Sequence, residues 1–301
     1  MKIVAIILTR NETKHIRRCI ESVRDVASEI LVVDSFSTDD TVSLARELGA
    51  RVLEHPFKNY ATQFNWALDQ IGTDTDWVIR IDADEYFIRE PGIELRSVLA
   101  GLGREIAGVY INRWMIFQGR QIRWGGMYPI EVLRIWRHGL GRCENRWMDE
   151  HIIVEGATIR LSAGIVDDNQ NPLSWWTDKH NGYSSREAVD LLNLKYRFMP
   201  SETVARLQSG NQAGVKRWVK EKVYSRMPTG LRALGYFLYR YVIRAGFLDG
   251  RPGLAFHVLQ GFWYRFLVDA KFHEVERCMK EPGMDVVPAI RAVLGIDVQS
   301  D

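Results

Sequence analysis

The chain has 301 residues, 46% of them hydrophobic and 26% charged, which is a globular composition with length for one large domain plus an extension or for two smaller domains. Its formal net charge of +2 is too small to point to a nucleic-acid partner. Cys19, Cys143 and Cys278 are widely spaced and form no CxxC pair, which argues against a disulfide scaffold or a zinc site and for a reducing, cytoplasmic setting.

Along the first hundred residues strand and helix patterns alternate. Lys2 to Leu8 is an almost wholly apolar, β-branched run, as in a strand buried on both faces. It leads into Thr9-Arg10-Asn11-Glu12 with no small-residue cleavage site, so a strand is expected rather than a signal peptide. Ile16, Cys19, Ile20 and Val23 recur at i, i+3, i+4 and i+7 and predict an amphipathic helix with Cys19 in the core. Ile30 to Val33 predicts a second buried strand ending at Asp34. Thr41 to Leu48 predicts a helix closed by Gly49. Arg51 to Glu54 is a third strand, Phe64, Ala67, Leu68 and Ile71 mark the next helix, and Trp77 to Ile81 is a fourth strand running into Asp82. Such repeats imply a mostly parallel sheet with helices on both faces, and ligands bind such sheets at the carboxyl ends of the strands. Thr9, Asp34 and Asp82 should therefore meet at one crevice.

From about Gly108 the texture changes. Val109 to Phe117 and Glu131 to Trp136 predict strands around the loop Gly119 to Pro129, which is rich in Gly, Arg and Trp. Strand signals fade after about Asp167. From about Asn181 to the end the pattern is mainly helical, broken near Pro200, Pro228, Pro252 and Pro282.

Asp82-Ala83-Asp84 carries the most chemistry. Two carboxylates around a small residue at a strand end can hold a hard divalent cation that keeps sites open for phosphate. Such a cation would neutralise a departing diphosphate. In Asp34-Ser35-Phe36-Ser37-Thr38-Asp39, the first carboxylate can accept from a base N–H or a ribose hydroxyl, and is expected to be a ligand rather than a cap. Ser37 to Asp40 are expected to cap the following helix. Arg134 and Arg137 flank an apolar pair and either clamp phosphate or form a solvated strand face. Trp124 and Tyr128 are either a sugar-stacking surface or packing residues.

Thr9-Arg10-Asn11-Glu12, the Val-Asp-Ser-Phe-Ser-Thr-Asp stretch and Asp82-Ala83-Asp84 together resemble inverting glycosyltransferases of family two, with the GT-A fold. Tyr60 to Asn65, Arg123 to Pro129, Leu133 to Arg137 and Gly246 to Gly250 extend the likeness to a bacterial branch that includes the lipopolysaccharide-core β-glucosyltransferases. The resemblance implies a Rossmann-like domain whose residues 1–105 bind the nucleotide sugar and whose residues 106–170 face the acceptor, with a helical extension over 171–301. It implies a nucleoside pocket lined by Thr9, Asn11 and Glu12, with Asp34 reading the base. Gln63 and Asn65 would lie near the ribose and diphosphate and Arg134 on the donor. Asp82 would touch the nucleotide or sugar, and Asp84 would ligate Mn²⁺ or Mg²⁺. Inversion needs a base beside the acceptor hydroxyl, and the candidates are Asp149 and Glu150. His151 is expected as a structural partner rather than a metal ligand. The activity implied is transfer of a hexose from a UDP-sugar to a saccharide or lipid-linked acceptor.

Two other classes are weighed against it. A nucleotidyltransferase would carry a Gly-rich phosphate loop after the first strand, and Thr9 to Glu12 is not one. A non-catalytic scaffold would have lost the metal carboxylate or the base.

Leu231 to Val268 is rich in aromatics and arginine but has no spanning-length apolar run. Arg240 and Arg244 are four apart and share a helix face, with Arg232 within about 120° of them. A basic face of this kind suits a helix lying on an anionic leaflet, which would make the protein peripheral on the inner face of the cytoplasmic membrane. The alternatives are a packed helical subdomain or an oligomer contact.

Overall fold

The computed structural model describes residues 1–88, 94–144, 150–199, 230–280 and 283–298. They fall into two compact units, the first made of described residues up to 144 with 150–170 and the second of described residues from 171 onward.

The first unit opens with β1 (Ile3–Thr9), α1 (Ile16–Val23), β2 (Glu29–Asp34), α2 (Thr41–Glu47), β3 (Arg51–Glu54), α3 (Tyr60–Asp69) and β4 (Trp77–Arg80). β5 (Glu85–Ile88), α4 (Leu95–Gly101), β6 (Ile106–Phe117), β7 (Arg120–Ile122) and β8 (Ile130–Arg137) follow. The unit ends with β9 (Gly141–Cys143), β10 (Ile152–Val154) and β11 (Ala157–Asp168). The main sheet runs β3-β2-β1-β4-β8-β6-β11-β5, with β7 beside β6, and β9 and β10 form a separate ribbon.

The strands β3, β2, β1 and β4 are mutually parallel, because each pair is joined by a helix that crosses one face. Beyond β4 the pattern changes. β8 is antiparallel to β4 and to β6, β11 is parallel to β6, and β5 is antiparallel to β11. The sheet is thus parallel in its first half and mixed in its second. Apolar side chains cover both faces. Ile16, Cys19, Ile20 and Val23 of α1 pack with Ile3, Ala5 and Ile7 on one face, and Ala61, Phe64, Ala67 and Leu68 of α3 pack with Val4 and Ile6 on the other. Alternate β1 residues therefore serve opposite layers, as a central strand requires.

Several elements of the first unit were not singled out in the sequence: α4, β5, β7, β9, β10 and β11. β7 lies inside the stretch expected as loop. β5 follows the acidic turn directly, and its four residues are too few to show a period. β11 was hidden by its own irregularity, since the pairing with β6 shifts between Arg160 and Gly164 and breaks the alternation of apolar positions. Gly164 faces the Trp114 ring so closely that a Cβ there would lie 1.7 Å from ring carbon Cζ3.

The second unit contains α5 (Leu173–Tyr196), α6 (Leu231–Leu238), α7 (Gly250–Phe256), α8 (Tyr264–Cys278) and α9 (Val286–Leu294), with wide π-type turns at Tyr239–Ile243 and His257–Trp263. Helix begins at Leu173, earlier than expected, directly after Pro172. Pro252 sits in the first turn of α7, where its missing N–H costs nothing, so it does not break the helix. Pro200, Pro228 and Pro282 lie outside the described residues. Val189, Leu192, Val275, Val286, Ala289 and Ile290 form the core of this unit.

Gly164→Ala should destabilise the first unit by ~1–3 kcal/mol, because Trp114 must leave its place. Denaturant titration checks this, and a midpoint equal to that of the parent chain would refute the contact.

Candidate active site

The carboxyl ends of β1 and β2 lie side by side, with Thr9 opposite Asp34. Asp34 is fully buried. Its Oδ1 accepts from the Thr9 hydroxyl (2.7 Å) and the Ser37 hydroxyl (2.6 Å), and its Oδ2 accepts from the Ser37 N–H (2.7 Å). A carboxylate so engaged organises the turn after β2. The N-cap Asp40 makes no side-chain cap bond; Asp39, one residue earlier, accepts from the N–H (3.0 Å) and hydroxyl (2.5 Å) of Thr41, the first residue of α2.

Across the crevice, Asn11 has φ +57° and its Oδ1 accepts from the Thr38 N–H at 2.8 Å, while its own N–H donates to Ser37 Oγ at 2.8 Å. Phe36 also has φ +57° and is 57% exposed, so the two turns are locked together and leave an aromatic ring at the rim. Glu12 Oε2 lies 2.6 Å from His15 Nδ1. His15 Nε2 accepts from the Gln170 N–H at 3.0 Å, which assigns the ring proton facing Glu12 to Nδ1.

Asp82, one turn beyond β4, is held from two sides. The Tyr60 hydroxyl donates to its Oδ1 at 2.6 Å and Arg134 Nη2 donates to its Oδ2 at 3.1 Å. The same Nη2 donates to Glu85 Oε1 at 2.5 Å, and Glu85 Oε2 accepts from the Asp82 N–H at 3.0 Å. Arg80 closes the cluster, with Nε 3.8 Å from Asp82 Oδ1 and its guanidinium 4.2 Å over the Tyr60 ring. Burial works to raise the Asp82 carboxyl, but Arg134, Arg80 and the Tyr60 hydroxyl hold it well below the ordinary carboxylate range. Burial likewise pushes the Tyr60 hydroxyl well up and keeps it a donor. Glu85 goes the other way. Its burial pushes the carboxyl up to about 8 against the pull of Arg134, with the Asp82 charge adding to the rise.

Arg134 is only 4% exposed, and its Nε and Nη1 have no hydrogen-bond partner among the described residues. It therefore forms no solvated face, and it is turned onto two carboxylates rather than presented to a phosphate. Arg137 is not a solvated strand face either. It donates to the carbonyls of Leu102, Gly103 and Ile106 and ties α4 to β6.

Asp84 is half-buried and accepts through Oδ2 from Asn169 Nδ2 at 2.9 Å. The segment carrying Asn169 is fixed on both sides. Asp168 accepts from Arg18 Nη1 (2.5 Å), and Gln170 bonds to His15. Glu150 lies beside the same cluster, its backbone carbonyl 3.4 Å from Arg80 Nη1. His151 Nδ1 lies 3.0 Å from Glu144 Oε1, a pairing within the protein. Asp149 lies outside the described residues. Gln63 and Asn65 both hydrogen-bond to the scaffold. Gln63 is fully buried between His55 and Ser35, and both polar atoms of Asn65 bond to the Cys143 backbone at 2.9 Å. Tyr60, Arg80, Glu85 and Asn169 escaped the sequence analysis as site residues, although Tyr60 stood inside a quoted motif. Arg80 and Glu85 bracket the Asp pair on the strand and its continuation, which is the one signal that marks them.

A carboxyl whose folded-state pKa is raised favours folding at low pH and loses that contribution as pH rises through the raised value. The parent chain should therefore lose stability relative to Glu85→Gln between about pH 4.5 and about 8. Chemical denaturation across that window tests this, and parallel profiles for the two proteins would refute it.

The geometry can be set beside known proteins. The profile of the family described as Glycosyl transferase family 2 matches residues 4–160, which takes in β1 to β11 as far as Arg160. An uncharacterized glycosyltransferase of Rickettsia typhi is 37% identical over 284 residues, covering 91% of this chain and 87% of that protein. One from Rickettsia felis is 42% identical over 99 residues, which is 33% of this chain and 34% of the relative. The chain thus spans about a third of the length of that relative. A mannosyltransferase of Pyrobaculum calidifontis, solved with GDP-Man and Mn²⁺, aligns over 90% of this chain and 87% of its own with 13% identity and a TM-score of 0.47. With a family profile over more than half its length and a Rickettsia typhi relative matched almost end to end, this chain belongs to glycosyl transferase family 2.

Proposed function

We propose that the chain is an inverting, metal-dependent hexosyltransferase that uses a UDP-linked sugar. The acceptor is a saccharide or a lipid-linked glycan of bacterial surface assembly, as in the lipopolysaccharide-core β-glucosyltransferases the motifs resemble. The reaction belongs on the inner face of the cytoplasmic membrane. The single observation that carries the reading is the division of labour at Asp82-Ala83-Asp84. Asp82 is locked by Tyr60 and Arg134, whereas among the described residues Asp84 is held by Asn169 through Oδ2.

Among the described residues no three His, Cys, Asp or Glu side chains are grouped to hold a metal. One half-buried carboxylate still fits a hard cation such as Mn²⁺ or Mg²⁺, which takes few protein ligands and completes its shell with substrate phosphates and water. Asp84 would hold that cation, and when bound it supplies charge neutralisation for the departing nucleoside diphosphate. Thr9, Asn11 and Glu12 define the floor of the nucleoside pocket, and Asp34 shapes it from beneath. Asp82 contacts the donor, with Arg134 acting through it as a positioning residue. The acceptor oxygen attacks the anomeric carbon from the side opposite the diphosphate. Its proton passes to the carboxylate of Asp149 or Glu150, and the bond to the diphosphate breaks.

Asp84→Ala should lower cation-dependent transfer or donor hydrolysis by on the order of 10²-fold or more with the melting temperature unchanged. Turnover like that of the parent chain would sink the metal assignment. Asp149→Asn and Glu150→Gln should then be measured separately. The true base should lose ~10²–10⁴-fold in kcat with little change in donor affinity, and a loss confined to KM would mark a binding residue instead.

A further inference from the structure

The basic membrane face expected from Arg232, Arg240 and Arg244 does not exist. Arg232 is buried on Asp269, with Nε donating to Oδ2 at 2.6 Å. Arg240 is also buried, donating to Gln260 Oε1 at 3.2 Å and lying over the Phe256 ring at 5.5 Å. Only Arg244 of the three is exposed.

What faces outward is apolar. Eleven of the twenty large hydrophobic side chains exposed among the described residues fall between Leu231 and Phe266. Leu231, Leu234 and Leu238 recur at i, i+3 and i+7 on α6, and Val242, Ile243 and Phe247 continue outward beyond it. Ile243 is 73% exposed and Leu231 is 60% exposed, values that belong to charged surface residues rather than core formers. α6 packs against the turn His257–Trp263, and the turn Tyr239–Ile243 packs against both that turn and Gly246–Asp249, so these segments form one body. Arg232, Arg240 and Asp249 are turned inward while these aliphatic side chains face outward, the reverse of what a water-facing helical subdomain presents.

We infer that this body docks on an anionic lipid bilayer, inserting the apolar face into the interface with Arg244 and Arg251 at headgroup level. No helix among the described residues is long and apolar enough to cross a membrane, so the mode is interfacial. Charge decides between lipid and a second copy of the chain. The exposed charged residues between Leu231 and Phe266 are Arg244 and Arg251, and the one acid in that span, Asp249, is buried. A second copy would bring further arginines to the seam with no exposed acid to meet them. Lipid phosphates provide the missing partner, and the arginine stems can lie along the apolar surface. The inference stands on the second unit alone and survives a failure of the glycosyl-transfer reading.

Co-flotation of the full chain with vesicles tests it without any activity measurement. The parent chain should float with phosphatidylcholine vesicles containing phosphatidylglycerol, and less with phosphatidylcholine alone. Val242→Glu combined with Ile243→Glu changes two exposed positions and should cut the bound fraction about tenfold or more with an unchanged melting temperature. Arg244→Glu and Arg251→Glu should each weaken binding about fivefold and together erase the preference for the anionic lipid. The inference is overturned if the parent chain stays unbound with both vesicles, or if the glutamate variants bind as it does. It is equally overturned if sedimentation shows a dimer that the Val242 and Ile243 substitutions dissociate.

Discussion

Arg134 is the interaction on which the site depends. A guanidinium buried to this degree must be matched by negative charge, because desolvating it unpaired costs several kcal/mol. Asp82 supplies that charge and Glu85 a second acceptor; they come from the end of β4 and the start of β5, while Arg134 itself comes from β8, the antiparallel neighbour of β4. One side chain thus fastens the turn between two strands to a third. The Asp82 N–H closes the loop by donating to Glu85, so the backbone of the Asp-Ala-Asp turn is fixed from within. Asp84 then projects from a turn that has little freedom of its own.

Much of the parallel half was legible because it obeys simple periodicities. β1 could be read from its apolar run and α1 from four apolar positions, all of which are buried. The second half was less legible for a physical reason. Its strands are joined without crossover helices and one carries a bulge, so neither the α/β alternation nor the period of two survives in the sequence. The stretch expected as loop around Gly119 conceals a three-residue strand that exists only because β6 offers it an edge.

The site residues show the same limit. A motif marks which residues stand near a crevice, but not which of their atoms remain open. Asp34 and Gln63 stand in motifs that mark the site, and both hold hydrogen bonds to the protein itself, Asp34 to Thr9 and Ser37 and Gln63 to His55 and Ser35. Arg232 and Arg240 mislead for a related reason. Helical spacing put them on a shared face with Arg244, but their acceptors, Asp269 and Gln260, come from distant segments and draw them inward.

Along its main path the sheet ends on β3 at one side and on β5 at the other, with the short β7 paired to β6 alone. β3 is only four residues long. β3 begins and ends on exposed charged residues, Arg51 and Glu54. A short, charged edge offers a stray chain few hydrogen bonds and no flat apolar strip, which is how natural sheets resist edge-to-edge aggregation. The brevity of β3 is therefore also a protection against fibril growth.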